Sequence, residues 1–289
     1  MPRNTIIVLL IAAALSGACT GHDAGPAPEA ASPAASAPAA ETAAPPLAVA
    51  EGMIRRVATQ DGCRDFTAEM RLTGEAEDGR PVQLDFRVQR KYEGPQTSTL
   101  LVVTAPREET EKALLAVEKQ DQPTEAISYL AGLRKIARFK SNSTRDLRGA
   151  KISVQELLGL ELNKYTPAST LRVIDGSDSL LRVSLREKPD TELAYPRIEA
   201  FFREANQQPV RFELFDAQNK LARVVRVEAV RPIQNYQTIT RVEIEDKNTS
   251  RKVRLEALKV KYDQKLSDSL FTEAHLTRLI SEASRRLIQ

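Results

Sequence analysis

Nucleophiles and bases are scarce in this chain, and their spacing assembles no reaction. The 289 residues hold two histidines, His22 and His275, and two cysteines, Cys19 and Cys63. Neither histidine has metal-ligand spacing around it. The stretch Asp175-Gly176-Ser177-Asp178-Ser179 sets serines among acids, but with no histidine nearby it reads as a polar hairpin turn. No G-x-S-x-G elbow, H-E-x-x-H or Walker A segment occurs. Carboxylate pairs are common in any chain with 28% charged residues, so they single out no glycosidase-like dyad. Nothing points to an enzyme, a metal site or a cofactor.

Cys19 has a different chemistry. Before it come Arg3, an apolar run from Ile6 to Leu15, and the small residues Ser16, Gly17 and Ala18. That is the form of a secretory signal peptide over 1–18, and its apolar run is too short for a span that needs roughly 20 residues. A cysteine after small residues resembles a bacterial lipobox, in which Cys19 becomes the first mature residue and is acylated. Ser16 stands where that pattern has leucine. The other reading is ordinary cleavage near Ala18 or beyond. Residues 19–46 are mostly Ala and Pro, with no apolar periodicity from which a core could form. They read as a tether holding a single folded domain, 47–289, several tens of ångströms from an anchor, at about 3.1 Å per residue. With Cys19 acylated, Cys63 has no partner and reads as a small buried hydrophobe. Against 39 acidic residues stand 42 Lys and Arg, interspersed, which is too mild a balance to argue for nucleic acid.

The elements of that domain follow from periodicity. Val49, Met53, Ile54 and Val57 recur at helical spacing. From Phe66 the period becomes two: Phe66, Ala68, Met70 and Leu72 share one face, Val82, Leu84, Phe86 and Val88 share another, and the turn TGEAEDGRP joins them. Segments of the same style follow to about Lys140 and again from Leu171 to Asp263. Between the two groups Ser153 and Glu156 form a capping box that predicts a short helix ending at Gly159. RIEAFF fits strand or helix, and its hairpin partner PVRFELFD favours strand. Leu276, Leu279, Ile280, Ala283 and Leu287 predict a C-terminal amphipathic helix. The fold class is mainly β: a curved antiparallel sheet forming an unclosed barrel of about ten or eleven strands, with short helices covering its concave side.

The segment from Ala126 to Gly159 resembles the bacterial outer-membrane lipoprotein-sorting proteins, related in fold to LolA and LolB. Tyr129-Leu130-Ala131 and Leu133 to Arg138 match that family's aromatic-Leu-Pro strand end and basic stretch, with Ala131 in place of Pro. Gly149, Ile152, Ser153, Glu156 and Leu157 match its next segment, with Ala150-Lys151 replacing Ser/Thr-Asp. The stretch from Tyr195 to Val225 and SDSLFTEAHL agree in order, so the resemblance covers most of Phe66 to Leu276. It implies an eleven-stranded unclosed barrel with a helical lid, whose interior receives acyl chains.

On that basis the expected function is a bacterial envelope carrier or acceptor of lipid or acylated lipoprotein. It would be anchored to a membrane through Cys19 and face the periplasm. Thr20, in place of Asp, suggests the outer membrane. Relatives often accompany inner-membrane exporters of hydrophobic compounds, which are a candidate partner. Alternation nominates Met70, Leu72, Leu84, Phe86, Leu101, Val103, Leu115, Val117, Phe212 and Leu214 as cavity lining, with ordinary core packing as the competing reading. Arg134, Lys135 and Arg138 are candidates for contact with lipid phosphates or an acidic partner, against a solvated strand face. The rival function is a lipid-anchored envelope scaffold that binds another protein through a free strand edge or charged face and carries no lipid.

Overall fold

The alternation around Met70 and Phe86 becomes a hairpin, in which β2 (Asp65–Glu75) and β3 (Pro81–Glu93) pair antiparallel with Met70 opposite Phe86 and Leu72 opposite Leu84. The computed structural model describes residues 6–7, 46–59, 62–76, 78–130, 133, 135–140, 142–147 and 150–288. From β3 the chain meanders through β4 (Gln96–Ala105), β5 (Ala113–Lys119), β6 (Glu125–Leu130) and β7 (Lys135–Phe139), which ends one side of the sheet. It restarts at the opposite side with β10 (Tyr165–Asp175) and returns through β11 (Asp178–Glu187), β12 (Arg197–Arg203), β13 (Pro209–Phe215), β14 (Leu221–Ile233), β15 (Tyr236–Asp246) and β16 (Lys252–Tyr262). β16 then pairs with β2, so the two halves join in the middle of one sheet. The path holds thirteen antiparallel strands, more than the ten or eleven expected, and among the described residues β7 and β10 are its unpaired ends. A two-residue strand, β1 (Ile6–Ile7), lies parallel to β15.

This topology fixes the position of residues 140–164, because they must carry the chain from one edge of the sheet to the other. They do so as a hairpin, β8 (Thr144–Leu147) with β9 (Ala150–Ser153), followed by α2 (Val154–Leu157). The hairpin was not foreseen in the sequence. α2 starts as expected: Ser153 Oγ accepts from the Glu156 amide at 3.1 Å, and Glu156 Oε2 accepts from the Ser153 amide at 2.8 Å. Val154, Leu158, Leu160 and Leu162 of the crossover join the main core, as do Ala50, Met53, Ile54 and Val57 of α1 (Leu47–Ala58). Both elements therefore cover the concave face. The C-terminal helix α3 (Glu273–Ile288) does not. It packs on the other side, where Leu276 and Ile280 meet Leu100, Ala113, Leu115 and Ile127. The core clusters draw on residues from Ala50 to Ile280.

No helix among the described residues is long and apolar enough to cross a membrane. The Asp175–Ser179 stretch is the expected turn: Asp175 pairs with Asp178, and Gly176 takes the left-handed φ of +61° that such a two-residue turn requires.

Candidate functional site

A half-closed sheet with a hydrophobic concave face needs a cover, and the means by which the cover is held determines what the face can do. Eight of the ten nominated lining residues, Met70, Leu72, Leu84, Phe86, Leu101, Val103, Phe212 and Leu214, lie in the core cluster beneath α1 and the crossover. Leu115 and Val117 require a correction. Leu115 pairs with Leu100 and belongs to the cluster under α3, and Val117, opposite Ser98, is half-buried on that same face. Strand β5 is apolar on both faces, and its concave residues are Leu114 and Ala116. The amphipathic α3 was the available signal, because its apolar stripe required a second apolar surface to pack on.

Polar side chains fasten the crossover at two places. At the first, Gln155 is fully buried. Its Oε1 accepts from the amides of Ala194 (2.8 Å) and Tyr195 (3.2 Å), and its Nε2 donates to Leu160 O and Tyr165 Oη at 3.2 and 2.5 Å. Beside it, Glu156 Oε1 accepts from Tyr195 Oη at 2.9 Å and lies 3.4 Å from Arg223 Nε, an ion pair without hydrogen-bond geometry. Arg223 reaches on to Asp246 at 2.8 Å. Burial raises the Glu156 carboxyl, and Arg223, Ser153 and Tyr195 oppose the shift.

The second fastening lies where α2 ends. Arg90 donates to both Glu118 oxygens at 2.8 and 3.0 Å and to Leu158 O at 2.7 Å, tying β3 and β5 to the crossover. Burial, with a contribution from nearby Glu161, pushes the Glu118 carboxyl up to about 7 against the pull of Arg90. Next to it Lys164 pairs with Glu161 at 2.9 Å, and Thr124 bonds both. The segment that follows α2 is strained: Gly159, Leu160 and Glu161 all take positive φ, of 78°, 68° and 48°. For non-glycine residues that conformation costs on the order of 1–3 kcal/mol each. The cover thus combines apolar contacts, which favour staying, with buried charge and backbone strain, which moving would relieve.

The sequence reading missed these anchors, although the alternation contained a signal for them. Arg90 continues the inward register Leu84, Phe86 and Val88, and Glu118 continues Leu114 and Ala116. Arg223 and Asp246 face each other in the same register as Leu214 and Ile244. Charged residues in inward positions mark these sites.

One end of the sheet is open. A cavity of about 750 Å³ lies between the start of β2, the end of β3 and the ends of β15 and β16, lined by Arg64, Asp65, Lys91, Tyr92, Tyr236 and Lys265 among others. Inward of it, Tyr236 and Phe66 flank the Tyr262 ring, at centroid distances of 4.6 and 6.0 Å. Asp65 is buried and accepts from the amides of Gln264 and Leu266, which pins the loop after β16. The change from aromatic interior to charged rim suits a molecule with an apolar body and a polar end.

The remaining nominated residues are not brought together there. Lys135 is exposed, and Arg138 is an exposed partner of Glu273 at 2.8 Å, so its charge is already matched. Arg134 and Cys19 lie outside the described residues. Cys63 is buried as expected; its thiol donates to Asp65 O at 3.0 Å, and burial pushes it up to about 12, far from reactivity. Among the described residues no group of three or more His, Cys, Asp or Glu is placed to hold a metal ion.

No curated protein matches the chain. Solved structures that share its fold include the following three. A putative outer membrane lipoprotein-sorting protein domain from Vibrio parahaemolyticus is 17% identical, covers 80% of this chain and 98% of its own, and superposes with a TM-score of 0.71. A DUF1329 family protein from Desulfovibrio piger is 17% identical over 80% and 99% of the two chains, with a TM-score of 0.70. A LolA superfamily protein from Nitrosomonas europaea is 16% identical over 78% and 99%, with a TM-score of 0.65. Residues 95–278, more than half of the chain, match a family described as an uncharacterized protein. The chain belongs to that family, and its fold is LolA-like.

Proposed function

We propose that this protein is an envelope carrier or acceptor that shelters the acyl chains of a lipid or lipoprotein on the concave face of its sheet. The observation that carries this reading is the cover. The hydrophobic face of β2 to β4 and β11 to β13 is closed by α1 and by a crossover held through buried ion pairs and strained backbone.

The energetics favour exchange over tight capture. Each methylene is worth about 0.8 kcal/mol on leaving water. Several long chains would then exceed the practical ceiling of noncovalent affinity, about 18–21 kcal/mol. A carrier avoids that limit by moving chains between one apolar place and another. When chains enter, the apolar contacts of Val154, Leu158 and Leu160 are replaced by contacts with cargo. The charges of Glu156, Arg223 and Glu118 regain water, and the polar end of the cargo stays at the charged rim. Residues 47–289 should therefore accelerate movement of a labelled diacyl lipid between donor and acceptor vesicles. A rate equal to the spontaneous one would count against the proposal.

The placement in the cell belongs to the same reading. A signal peptide over 1–18, acylation of Cys19 and a tether to residue 46 would hold the domain at the outer membrane, facing the periplasm, and an inner-membrane exporter of hydrophobic compounds is a candidate donor. The intact mass of protein extracted from membranes should correspond to a chain starting at Cys19 with acyl groups attached. An unmodified mass starting elsewhere would remove the anchor from the account.

A second reading has one observation in its favour. β10 ends the sheet with eleven residues and leaves Ile174 55% exposed, an edge to which another protein's strand could add. In that case the protein is a scaffold, and no lipid should be found in it.

A further inference from the structure

On the outer face of the sheet many charges are matched. Arg71 holds Asp85 at 2.7 Å, Arg241 and Arg254 share Glu228 at 3.0 and 3.1 Å, and Lys252 holds Glu243 at 2.8 Å. Where β16, β2 and β3 run on from the Glu256–Arg71–Asp85 row toward Phe66, the pattern differs. There Lys259, Glu69 and Arg87 form one cross-strand row, and Lys261, Thr67 and Gln89 form the next. These six residues surround a shallow concavity of about 220 Å³. Arg87, Lys259 and Lys261 have no ion-pair partner among the described residues, which leaves three cations around one carboxylate.

A second feature lies beside them. The β16–β2 register shifts between Ala257, opposite Met70 on the concave side, and Lys259, opposite Glu69 on the outer side. Leu258 is the extra residue of this bulge. An inserted residue re-aims its neighbours, and here both Leu258 and Lys259 end up exposed, Leu258 to 48%. A large apolar side chain is thus presented to solvent next to unmatched positive charge.

We propose that this face docks the domain onto an anionic membrane surface, with Leu258 entering the interface and Arg87, Lys259 and Lys261 meeting lipid phosphates. Size decides between a membrane and a protein partner. A stable protein interface needs about 800 Å² of shaped surface on each side, whereas two rows of side chains and one leucine offer far less. A membrane requires no matching contour, and each cation near an anionic surface raises partition by about fivefold. Such weak docking suits a domain whose position is otherwise set by a tether, and it concerns where the domain rests, not what it carries.

The test uses residues 20–289, which retain the whole described core and lack Cys19, so acylation does not enter. Co-sedimentation with phosphatidylethanolamine vesicles, with and without phosphatidylglycerol, should show binding that needs the anionic lipid and weakens as salt rises. Lys259→Glu/Lys261→Glu should lower partition at least about 25-fold, and Leu258→Ser should lower it while keeping the salt dependence. Lys220→Glu, in the turn between β13 and β14, should change nothing. Binding indifferent to phosphatidylglycerol, or unchanged in Lys259→Glu/Lys261→Glu, overturns the proposal. So does a photo-crosslinker at position 258 that labels an acidic envelope protein in cells and no lipid. Lipid transfer by the same variants, measured alongside, keeps this outcome separate from the carrier reading.

Discussion

Arg223→Ala should destabilise the domain by about 3–5 kcal/mol, the cost of leaving a buried charge without its partner. The guanidinium sits between Glu156 and Asp246, which are 1% and 2% exposed. Without it two carboxylates face each other in the core, and Glu156, already raised by burial, loses its main opposing charge. The denaturant midpoint should fall sharply at pH 7 and recover in part as acid protonates Glu156. Amide exchange should speed up first in residues 153–164, because Glu156 is the anchor of α2. A loss below about 1 kcal/mol would mean that water reaches the network and that it does not hold the cover.

The Glu118 carboxyl gives the second large effect, and its sign follows from the direction of its shift. Its pKa rises from 4.5 to about 7 on folding, mainly through desolvation. Between those values the unfolded chain has released the proton and the folded one has kept it. Stability from this group is therefore complete below about pH 4.5, is lost as pH rises through 7, and is then level. The size is of order 3 kcal/mol. Around Glu118 stand Arg90, Thr99, Glu161 and Lys164, so the same rise in pH should favour opening of the crossover. Stability measured at pH 5 and pH 8 should differ in this direction, and Glu118→Gln should shrink the difference. An unchanged slope in that variant would remove Glu118 from the account.

The strands and both long helices were legible because burial on one face leaves a period of two or 3.6 in the residues. RIEAFF became β12, as its hairpin partner suggested. Two segments of four residues each, around Arg145 and Lys151, carry no such pattern, so the β8–β9 hairpin was invisible. The joining of β16 to β2 is non-local and leaves no trace in either strand alone. Leu115 and Val117 were assigned to the wrong face because β5 is apolar on both, a strand sandwiched between the concave core and α3. The anchors Arg90, Glu118, Arg223 and Asp246 were overlooked because each resembles ordinary surface charge until register places it inside. Gln155 has no periodic signature; its role comes from the loop at Ala194 and Tyr195 folding back against it.

Native mass spectrometry of residues 47–289, purified without detergent and paired with lipid extraction, tests the central claim most directly. The account predicts a population carrying lipid of defined mass, or one that acquires it on incubation with envelope lipids. An apo mass that stays unchanged after that incubation would contradict the carrier and leave the scaffold with its β10 edge as the better reading.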